Sequence, residues 1–214
     1  MSNITKTIDW REGRRRSARE AIIEAAWSLV AEEGLAGLSL RDLARRAGIT
    51  TPTVYSYFDS KDAIYDAMFA QAATQLAQRL AEPFGDLDPL ELLVAGVRRF
   101  AAFCTSDPAR YQLLFQHTLP GFEPSPQSYA PAVQALTNAQ GWLIRNGITE
   151  ARHLDLWTAL VTGLVDQQIS NDPGGRRWTR LIEESMTMFV AHCQPSRVSR
   201  TRSPRPSRRK GALT

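Results

Sequence analysis

The sequence predicts an all-α protein of about nine helices. Apolar residues recur at helical spacing along most of the chain, and Gly and Pro punctuate the segments between these runs. No segment shows the alternation of apolar and polar residues that is typical of a strand. With 214 residues, 43% of them hydrophobic, the chain is long enough to bury one sizeable core or two small ones.

The first helix follows a polar segment, residues 1–16, which ends in three consecutive arginines. We expect this segment to be a basic, disordered arm. The helix itself is predicted from apolar residues that repeat on one face. They are Ile22, Ala25, Ala26, Leu29 and Val30.

Residues 39–61 predict two short helices joined by a tight turn. Ser39 stands where an N-cap is wanted, and Asp42 three residues later completes a pair that resembles a capping box. Gly48 supplies the positive φ that a sharp turn needs. The apolar stripe of the first short helix has the spacing i, i+3, i+4 and i+7, and consists of Leu40, Leu43, Ala44 and Ala47.

The second short helix is predicted to begin at Thr50, a good N-cap, with Pro52 in the first turn, where proline is tolerated. Val54 and Phe58, four residues apart, are expected to face inward. A short polar helix that is supported by another helix fits the major groove of DNA. The side chains left to face outward carry hydroxyls rather than acids, and they are Thr51, Thr53, Tyr55 and Tyr57.

The rest of the chain predicts further helices at recognisable start signals. An alanine- and glutamine-rich helix covers Lys61 to Leu80, and Asp-Pro pairs at residues 88–89 and 107–108 start the next two. Residues 118–131, with four prolines and a glycine, predict a loop or a broken helix start. The last three helices are predicted from about Pro131 to Arg145, from a cap at Thr149, and from about Arg176 to His192.

The net charge of +4 is concentrated at the two ends of the chain. Residues 1–20 carry six basic and three acidic side chains, and residues 195–214 carry seven basic ones and no acid. The Arg/Ser/Pro-rich segment 194–214 is predicted to be a disordered tail. Its charge either adds non-specific, salt-sensitive affinity for DNA, or the tail is an extension without a selected role.

Several function classes lack the residues that they need. His117, His153 and His192 have no metal-ligand spacing, no Gly-rich phosphate loop follows a strand, and no serine lies in a nucleophile elbow. The sequence therefore predicts neither an enzyme nor a metal or cofactor site. Cys104 and Cys193 lie far apart and are expected to be free thiols. No apolar run approaches the ~20 residues of a membrane span, and no signal-peptide h-region is present, so we expect a cytoplasmic protein without membrane contact.

Residues 22–65 resemble the DNA-binding domain of the tetracycline-repressor (TetR) family of bacterial transcription regulators. Residues 22–34, Ile-Ile-Glu-Ala-Ala-Trp-Ser-Leu-Val-Ala-Glu-Glu-Gly, are similar to the first helix of that family and its glycine stop. Residues 38–44, Leu-Ser-Leu-Arg-Asp-Leu-Ala, match its second helix. Residues 48–61 match its turn, its recognition helix and the start of its fourth helix.

The resemblance implies a division of the chain and a function. After the arm of residues 1–16 we expect a helix-turn-helix DNA-binding domain over residues 17–62, a ligand-binding and dimerisation domain over residues 63–193, and the tail. The implied function is that of a homodimeric repressor, which a small hydrophobic effector releases from double-stranded operator DNA. Two alternatives stay open: an activator of the same fold, and a sequence-tolerant architectural DNA-binding protein in which arm and tail dominate.

The resemblance also implies DNA contacts residue by residue. Tyr55 and Lys61 occupy positions that commonly touch phosphate in the family. In that family residue 51 is often Lys and residue 52 is often Gly. Thr51 here lacks the long cationic side chain of Lys, and Pro52 makes the start of the helix stiffer. The full set expected at this end of the chain is Arg14, Arg15, Arg16, Ser39, Arg41, Thr50, Thr51, Thr53, Tyr55, Ser56, Tyr57 and Lys61.

Some of these side chains have a second interpretation. Tyr55 or Tyr57 is alternatively part of the core. Residues 14–16 are expected to follow the minor groove, as basic arms do, and the alternative is a flexible, solubilising arm. Arg45 and Arg46 are expected on a solvated face rather than at the DNA.

The larger domain carries the expected effector and dimer sites. Residues 103–115 are similar to helices five and six of a subgroup of the family, whose His-Gly step in helix eight is Thr162-Gly163 here. A ligand cavity is implied, with plain core as the alternative, at Phe100, Phe103, Cys104, Tyr111, Phe115, Trp142, Trp157 and Val161. A four-helix dimer interface is implied at Leu160, Gly163, Leu164, Trp178, Ile182, Met186 and Phe189.

Overall fold

The computed structural model describes residues 2–194, and this part of the chain folds into nine α-helices and one short 3₁₀ turn, without a strand. The predicted all-α fold of about nine helices is confirmed. The helices are α1 (Ser2–Glu33), α2 (Leu40–Arg46), α3 (Thr51–Tyr55), α4 (Lys61–Ala81), α5 (Pro89–Ser106), α6 (Pro108–Phe115), α7 (Pro126–Arg145), α8 (Ala151–Asn171) and α9 (Ile182–Cys193), and the 3₁₀ turn Thr179–Leu181 precedes α9.

The chain divides into two compact units. Within the described residues, the first consists of residues 2–83 and 99–139, and the second consists of residues 84–98 and 140–194. Helices α5 and α7 therefore each contribute residues to both units. The division differs from the predicted boundary between residues 62 and 63, because α4 buries one face in the same core as α1 and α2.

Helix α1 is longer than predicted, since it begins at Ser2 rather than after residue 16. The prediction of a disordered arm is wrong for residues 2–16, which are helical. Residues 11–20 consist mainly of arginine and glutamate, which propagate a helix well. The guanidinium of Arg14 also lies over the ring of Trp10, one turn earlier, at 3.3 Å from the ring centroid.

The core of the first unit lies where α1, α2, α3 and α4 meet. Polar bonds fix α1 against α4: the indole N–H of Trp27 donates to Gln71 Oε1 at 2.6 Å, and Gln71 Nε2 donates to Glu24 Oε1 at 2.7 Å. Burial of the apolar side chains supplies the driving force, at about 1.5–3 kcal/mol for each large one. The most deeply buried of these side chains include Leu29, Leu43, Ile64 and Met68.

In the second unit α9 packs along α8, and one buried amide orders the turn that joins them. Gln168 Oε1 accepts the backbone N–H of Trp178 at 2.9 Å and that of Thr179 at 3.2 Å, which satisfies donors at the start of the 3₁₀ turn. In the same unit Gly96 makes room for Trp142, because a Cβ at residue 96 would lie 2.6 Å from the indole ring.

Three predicted helix starts differ from the structure. Helix α7 begins at Pro126, before Pro131, because Ser125 caps it and accepts the N–H of Ser128 at 3.3 Å. Helix α8 begins at Ala151 with residue 150 in the N-cap position, so Thr149 is not its cap. Residues 176–178, predicted as the start of the last helix, are not helical; the 3₁₀ turn Thr179–Leu181 follows them, and α9 itself begins at Ile182.

No helix within residues 2–194 is long and apolar enough to cross a lipid bilayer. The predicted tail lies outside the described residues, except for Gln194. The two interpretations of its positive charge therefore stay predictions.

Tyr65, in the second turn of α4, ties that helix to the loop after α1. Its ring is buried, and its hydroxyl donates a hydrogen bond to the carbonyl oxygen of Leu35 at 2.5 Å. Burial, and after it the negative charge of Asp62, raises the pKa of Tyr65 to about 12. The fold therefore stabilises the neutral hydroxyl.

Tyr65→Phe should lower the free energy of unfolding by about 0.5–1.5 kcal/mol at neutral pH, because the carbonyl of Leu35 loses its hydroxyl donor and keeps only the backbone N–H of Leu38, at 3.4 Å. A tyrosine whose pKa is higher in the folded chain contributes stability below pH ~10 and loses it as the pH rises towards about 12. Urea unfolding at pH 7, 10 and 11 should show this alkaline loss in the wild type and a smaller loss in the variant. Tyr129→Phe, at an exposed ring, is the control; equal alkaline losses in all three proteins would contradict the assignment.

Candidate nucleic-acid interface

The turn between α2 and α3 has the predicted caps. Ser39 Oγ accepts the backbone N–H of Asp42 at 3.1 Å and donates to Asp42 Oδ2 at 2.5 Å, and this side-chain bond lowers the pKa of the carboxyl. Gly48 has a φ of +67°, a left-handed conformation that costs other residues energy. The chain then reverses, and the N–H of Ile49 bonds to the carbonyl of Ala44 at 3.0 Å.

Helix α3 has only five residues and is held at its start and from below. Thr50 Oγ1 accepts the N–H of Thr53 at 3.3 Å, which is the predicted N-cap. Val54 and Phe58 are 1% and 2% exposed, so both predicted inward positions are confirmed. These contacts leave the opposite side of the helix open.

That open side presents what we call the hydroxyl face, formed by Thr51, Thr53, Tyr55 and Ser56. Tyr55 is half exposed and Ser56 is exposed, whereas the two threonines are partly exposed. Tyr57 differs from the predicted outward position, because it packs against the core of the first unit. It follows the last residue of α3, so the helical spacing that predicted its direction no longer applies.

A cation stands at the start of the helix that follows. Lys61 is the first residue of α4, and Ser60 caps this helix by accepting the N–H of Ala63 at 3.0 Å. The Nζ of Lys61 lies 5.4 Å from the ring centroid of Tyr65. Because helix N-termini attract anions, this arrangement can hold a phosphate. Arg41, in the first turn of α2, is exposed as predicted for a backbone contact.

Arg45 and Arg46 are engaged with carboxylates of their own chain. Arg45 Nη2 lies 2.7 Å from Asp42 Oδ1. Arg46 forms two bonds to Glu32, of 2.7 and 2.5 Å, and a third to Ser28 Oγ at 2.7 Å. The Arg46 bond holds the pKa of Glu32 below its usual value. Both arginines are exposed, which fits the predicted solvated face.

The side chains of Arg14, Arg15 and Arg16 are exposed on a helix rather than on an extended arm. Arg14 and Arg15 line an open groove of about 450 Å³ together with Ser56 and Tyr57. An α-helix is ~10–12 Å wide and the minor groove of DNA ~6 Å. The predicted path of residues 14–16 along the minor groove therefore does not fit the structure.

Sequence reasoning missed one arginine at this site. The guanidinium of Arg19 donates to the carbonyl oxygen of Tyr57 and lies 4.2 Å from the ring centroid of Phe58. Arg15 makes a similar bond to the carbonyl of Ser56 at 3.3 Å. No local pattern identifies these bonds, because the partners are 38 and 41 residues apart along the chain.

The residues predicted to line a ligand cavity are divided between the two units. Trp142, Trp157 and Val161 belong to the second unit, where each is less than a tenth exposed. The predicted residues of the first unit are Phe100, Phe103, Cys104, Tyr111 and Phe115. Among these, the thiol of Cys104 has a pKa that is raised by burial, so it is protonated at neutral pH.

A cavity of about 130 Å³ lies within the first unit, between α4, α6 and the start of α7. Phe115 lines it, and the rings of Phe100 and Tyr111 pack on Phe115 at centroid distances of 5.5 and 5.4 Å. Part of the cavity wall comes from the Pro/Gly-rich segment 118–131, which was predicted as a loop. Its apolar residues Leu119 and Phe122 could have indicated that this segment packs on the core. The other lining residues are Phe69, Leu113, Leu114, Gln116, His117, Thr118, Leu119, Phe122, Pro124 and Tyr129.

The predicted dimer residues fall into two groups. Ile182, Met186 and Phe189 are at most 4% exposed within the chain itself, so they form core rather than a free face, and their prediction is corrected accordingly. Trp178 is partly buried. The remaining predicted residues share the outward side of α8 with Leu156, which is 44% exposed, and they are Leu160, Gly163 and Leu164.

Residues 22–68 match the sequence profile of the family described as bacterial regulatory proteins, tetR family. The HTH-type transcriptional regulator Rv1816 of Mycobacterium tuberculosis is 29% identical over 136 residues, which cover 60% of this chain and 58% of that protein. The match thus spans less than two thirds of the length of the curated relative.

Solved structures have the same fold. A tetR-family transcriptional regulator from Streptomyces coelicolor is 22% identical with a TM-score of 0.65, over 86% of this chain and 83% of that one. FadR from Bacillus subtilis, solved in complex with stearoyl-CoA, is 19% identical with a TM-score of 0.60, over 80% and 97% of the two chains. At these identities the likeness is one of fold.

Proposed function

We propose that this chain is a homodimeric, sequence-specific repressor that a small apolar effector releases from its operator, because residues 22–68 match the profile of bacterial regulatory proteins of the tetR family. The observation that carries the proposal is the hydroxyl face of α3. Thr50 caps this helix, and Val54 and Phe58 anchor it from below, so four hydroxyl side chains stand on a fixed, exposed surface.

In this proposal the cations set the register on DNA and the hydroxyl face reads bases. Lys61 at the N-terminus of α4, Arg41, and Arg14–Arg16 on the outer part of α1 contact phosphates, which carry no sequence information. Thr51, Thr53 and Tyr55 reach base edges in the major groove, where hydroxyls can donate to or accept from several bases. Two copies of α3 on a two-fold axis would meet half-sites about 34–36 Å apart.

Lys61→Ala should weaken binding to all DNA alike and lower the slope of log affinity against log salt by about 0.9, because one phosphate contact is lost. Tyr55→Ala should instead weaken operator binding selectively. Operator fragments would be selected from random DNA with the wild type, and affinities for selected and random fragments measured by fluorescence anisotropy at rising salt.

Arg79→Ala removes one charge from the other end of α4, ~27 Å from Lys61, and serves as the control that should leave the slope unchanged. A wild-type protein that binds selected and random fragments equally at every salt concentration would sink the sequence-specific proposal and favour an architectural role.

The cavity of the first unit is the proposed effector site. Its volume of about 130 Å³ is similar to that of engineered apolar cavities, ~150 Å³, which bind benzene-sized ligands. Aromatic and aliphatic side chains supply most of its wall, with Phe115 and Phe69 on opposing helices. An apolar ligand group of that size is therefore the chemistry that it fits.

Helix α4 supplies a physical connection from the cavity to the hydroxyl face. Its Phe69 stacks on Tyr129 at the start of α7, with ring centroids 6.0 Å apart. Its Asp66 accepts hydrogen bonds from the N–H of Ser125 at 2.7 Å and from the hydroxyl of Ser128 at 2.8 Å. A ligand that moves α7 away from α4 would strain these bonds and shift Lys61. It can do so only by its differential affinity for the two states, which typically amounts to ~1–3 kcal/mol.

Leu119→Trp should fill part of the cavity and abolish effector release while leaving operator binding in place. The probes are apolar compounds from benzene-sized aromatics to stearoyl-CoA, titrated into the operator complex. A compound that releases the wild type should be at least tenfold weaker on the variant, within the usual range of coupling. Leu136→Trp, at an exposed position of α7, is the matched control. If no compound releases the wild type, the effector proposal fails and DNA binding stands by itself.

The proposed dimer uses the outward side of α8. Leu156, Leu160 and Leu164 recur there at helical spacing around Gly163, which is exposed. A Cβ at residue 163 would meet no described atom within 4 Å apart from its chain neighbours and the backbone of α8 itself. The absence of a side chain at Gly163 is therefore not required by the fold of the second unit, whereas a close helix-to-helix approach between two copies would require it.

Gly163→Ala should leave the chain as stable as the wild type or up to ~1 kcal/mol more stable, since Ala favours a helix. It should nevertheless raise the dimer dissociation constant, by about tenfold for an overpacking cost of ~1.4 kcal/mol. Sedimentation equilibrium measures this constant. Gly141→Ala in α7, where a Cβ likewise meets no atom within 4 Å, is the control and should dimerise as the wild type does. Unchanged dimerisation of the Gly163 variant would rule out close approach at this residue.

A further inference from the structure

The far end of α3 is bonded to α1 rather than left to solvent. Within the helix, backbone N–H groups of the following residues satisfy the carbonyls near its end. The next two carbonyls, those of Ser56 and Tyr57, accept guanidinium N–H groups from Arg15 and Arg19. A positive charge at this end also interacts favourably with the helix dipole.

Arg19 is placed differently from its neighbours on α1. Its side chain is partly buried, it bonds the carbonyl of Tyr57, and the Cζ of its guanidinium lies over the ring of Phe58, 4.2 Å from the centroid. Phe58 is itself buried beneath the end of α3. The guanidinium of Arg19 thus packs on Phe58, which holds α3 from below, and bonds the adjacent carbonyl of Tyr57. Arg16, by contrast, is exposed.

We propose that Arg19 is a positioning residue for sequence reading: it fixes the end of α3, and so the direction of Tyr55 and Ser56, without itself contacting DNA. This inference rests on the proposed function, because it concerns the same hydroxyl face. Base readout depends on donors and acceptors placed to within a fraction of an ångström, whereas a phosphate contact tolerates small shifts.

Two roles for an arginine at this place give different results with DNA. A phosphate contact adds equally to the affinities for operator and random DNA, and its loss lowers the salt slope by about 0.9. A positioning residue adds only to operator affinity, and its loss leaves the slope unchanged. The ratio of operator to random affinity and the salt slope therefore separate the two roles.

The experiment compares the full-length wild type with R19A, R19K and R16A on a selected operator fragment and on a random fragment of equal length. Lys keeps the charge of Arg19 but cannot both bond the carbonyl of Tyr57 and stack on the ring of Phe58. R16A removes an exposed, proposed phosphate contact three residues away. Random-fragment affinity and thermal melting report that each variant is folded.

In R19A the ratio of operator affinity to random-DNA affinity should fall by about tenfold or more, which is the loss typical of one mismatched base pair. The affinity for the random fragment and the salt slope should not change. R19K should lose part of the ratio at the same slope. R16A should lower both affinities together and reduce the slope by about 0.9.

The inference is overturned if R19A behaves as R16A does, or if R19A and R19K both keep the wild-type ratio. It is also overturned if R19A changes only its melting temperature. If the wild type binds the operator fragment and the random fragment with equal affinity, the proposed function is refuted before any variant is compared. The inference about Arg19 then fails with it.

Discussion

A helix of five residues is too short to be stable in water, so the proposed reading of DNA depends on how the rest of the first unit holds α3. Three separate contacts replace the stability that length would supply. The turn at Gly48 and the cap at Thr50 set its start, the buried Phe58 fixes it from below, and Arg19 bonds the backbone at its end. Because the bond at its end comes from α1 and its start follows directly from α2, the rigidity of α3 depends on the packing of these two helices.

Helix α4 contributes both to the core that supports α3 and to the wall of the cavity. Through Tyr65 and the Trp27–Gln71 bond it is part of the core that supports α3. On the same stretch of α4, Asp66 bonds Ser125 at the start of α7, and Phe69 stacks on Tyr129 of α7 and lines the cavity. In the proposed function the same helix would therefore support the fold and transmit the effect of a ligand, because Phe69 in the cavity wall lies one turn from Tyr65.

The features that the sequence predicted correctly are local ones. The caps at Ser39 and Thr50, the turn at Gly48 and the inward Val54 each depend on residues within four positions of one another. Two features could not be predicted because their partners are distant along the chain: the bond from Arg19 to the carbonyl of Tyr57, and the bond of Asp66 to Ser125, the cap of α7, 59 residues later. The helical course of residues 2–16 has local causes instead, the arginines and glutamates of residues 11–20, which a prediction from net charge does not weigh. In the second unit, the dimer prediction was wrong for Ile182, Met186 and Phe189, which are buried in their own chain. Helical periodicity identifies an apolar face, but it does not show whether the same chain or a partner covers that face.

The hydroxyl face has a consequence for the evolution of the binding site. An arginine or asparagine that reads a base through two bonds accepts a single base, whereas a hydroxyl donates and accepts and so tolerates several. In the proposed function, each base position read by Thr51, Thr53 or Tyr55 would then carry less information than one read through two bonds. The two half-sites together would supply the discrimination, and a single-base change in an operator would cost towards the lower end of the ~1–3 kcal/mol usual for one mismatched base pair. A regulator of this kind would gain and lose target genes through changes in DNA more readily than through changes in its own chain.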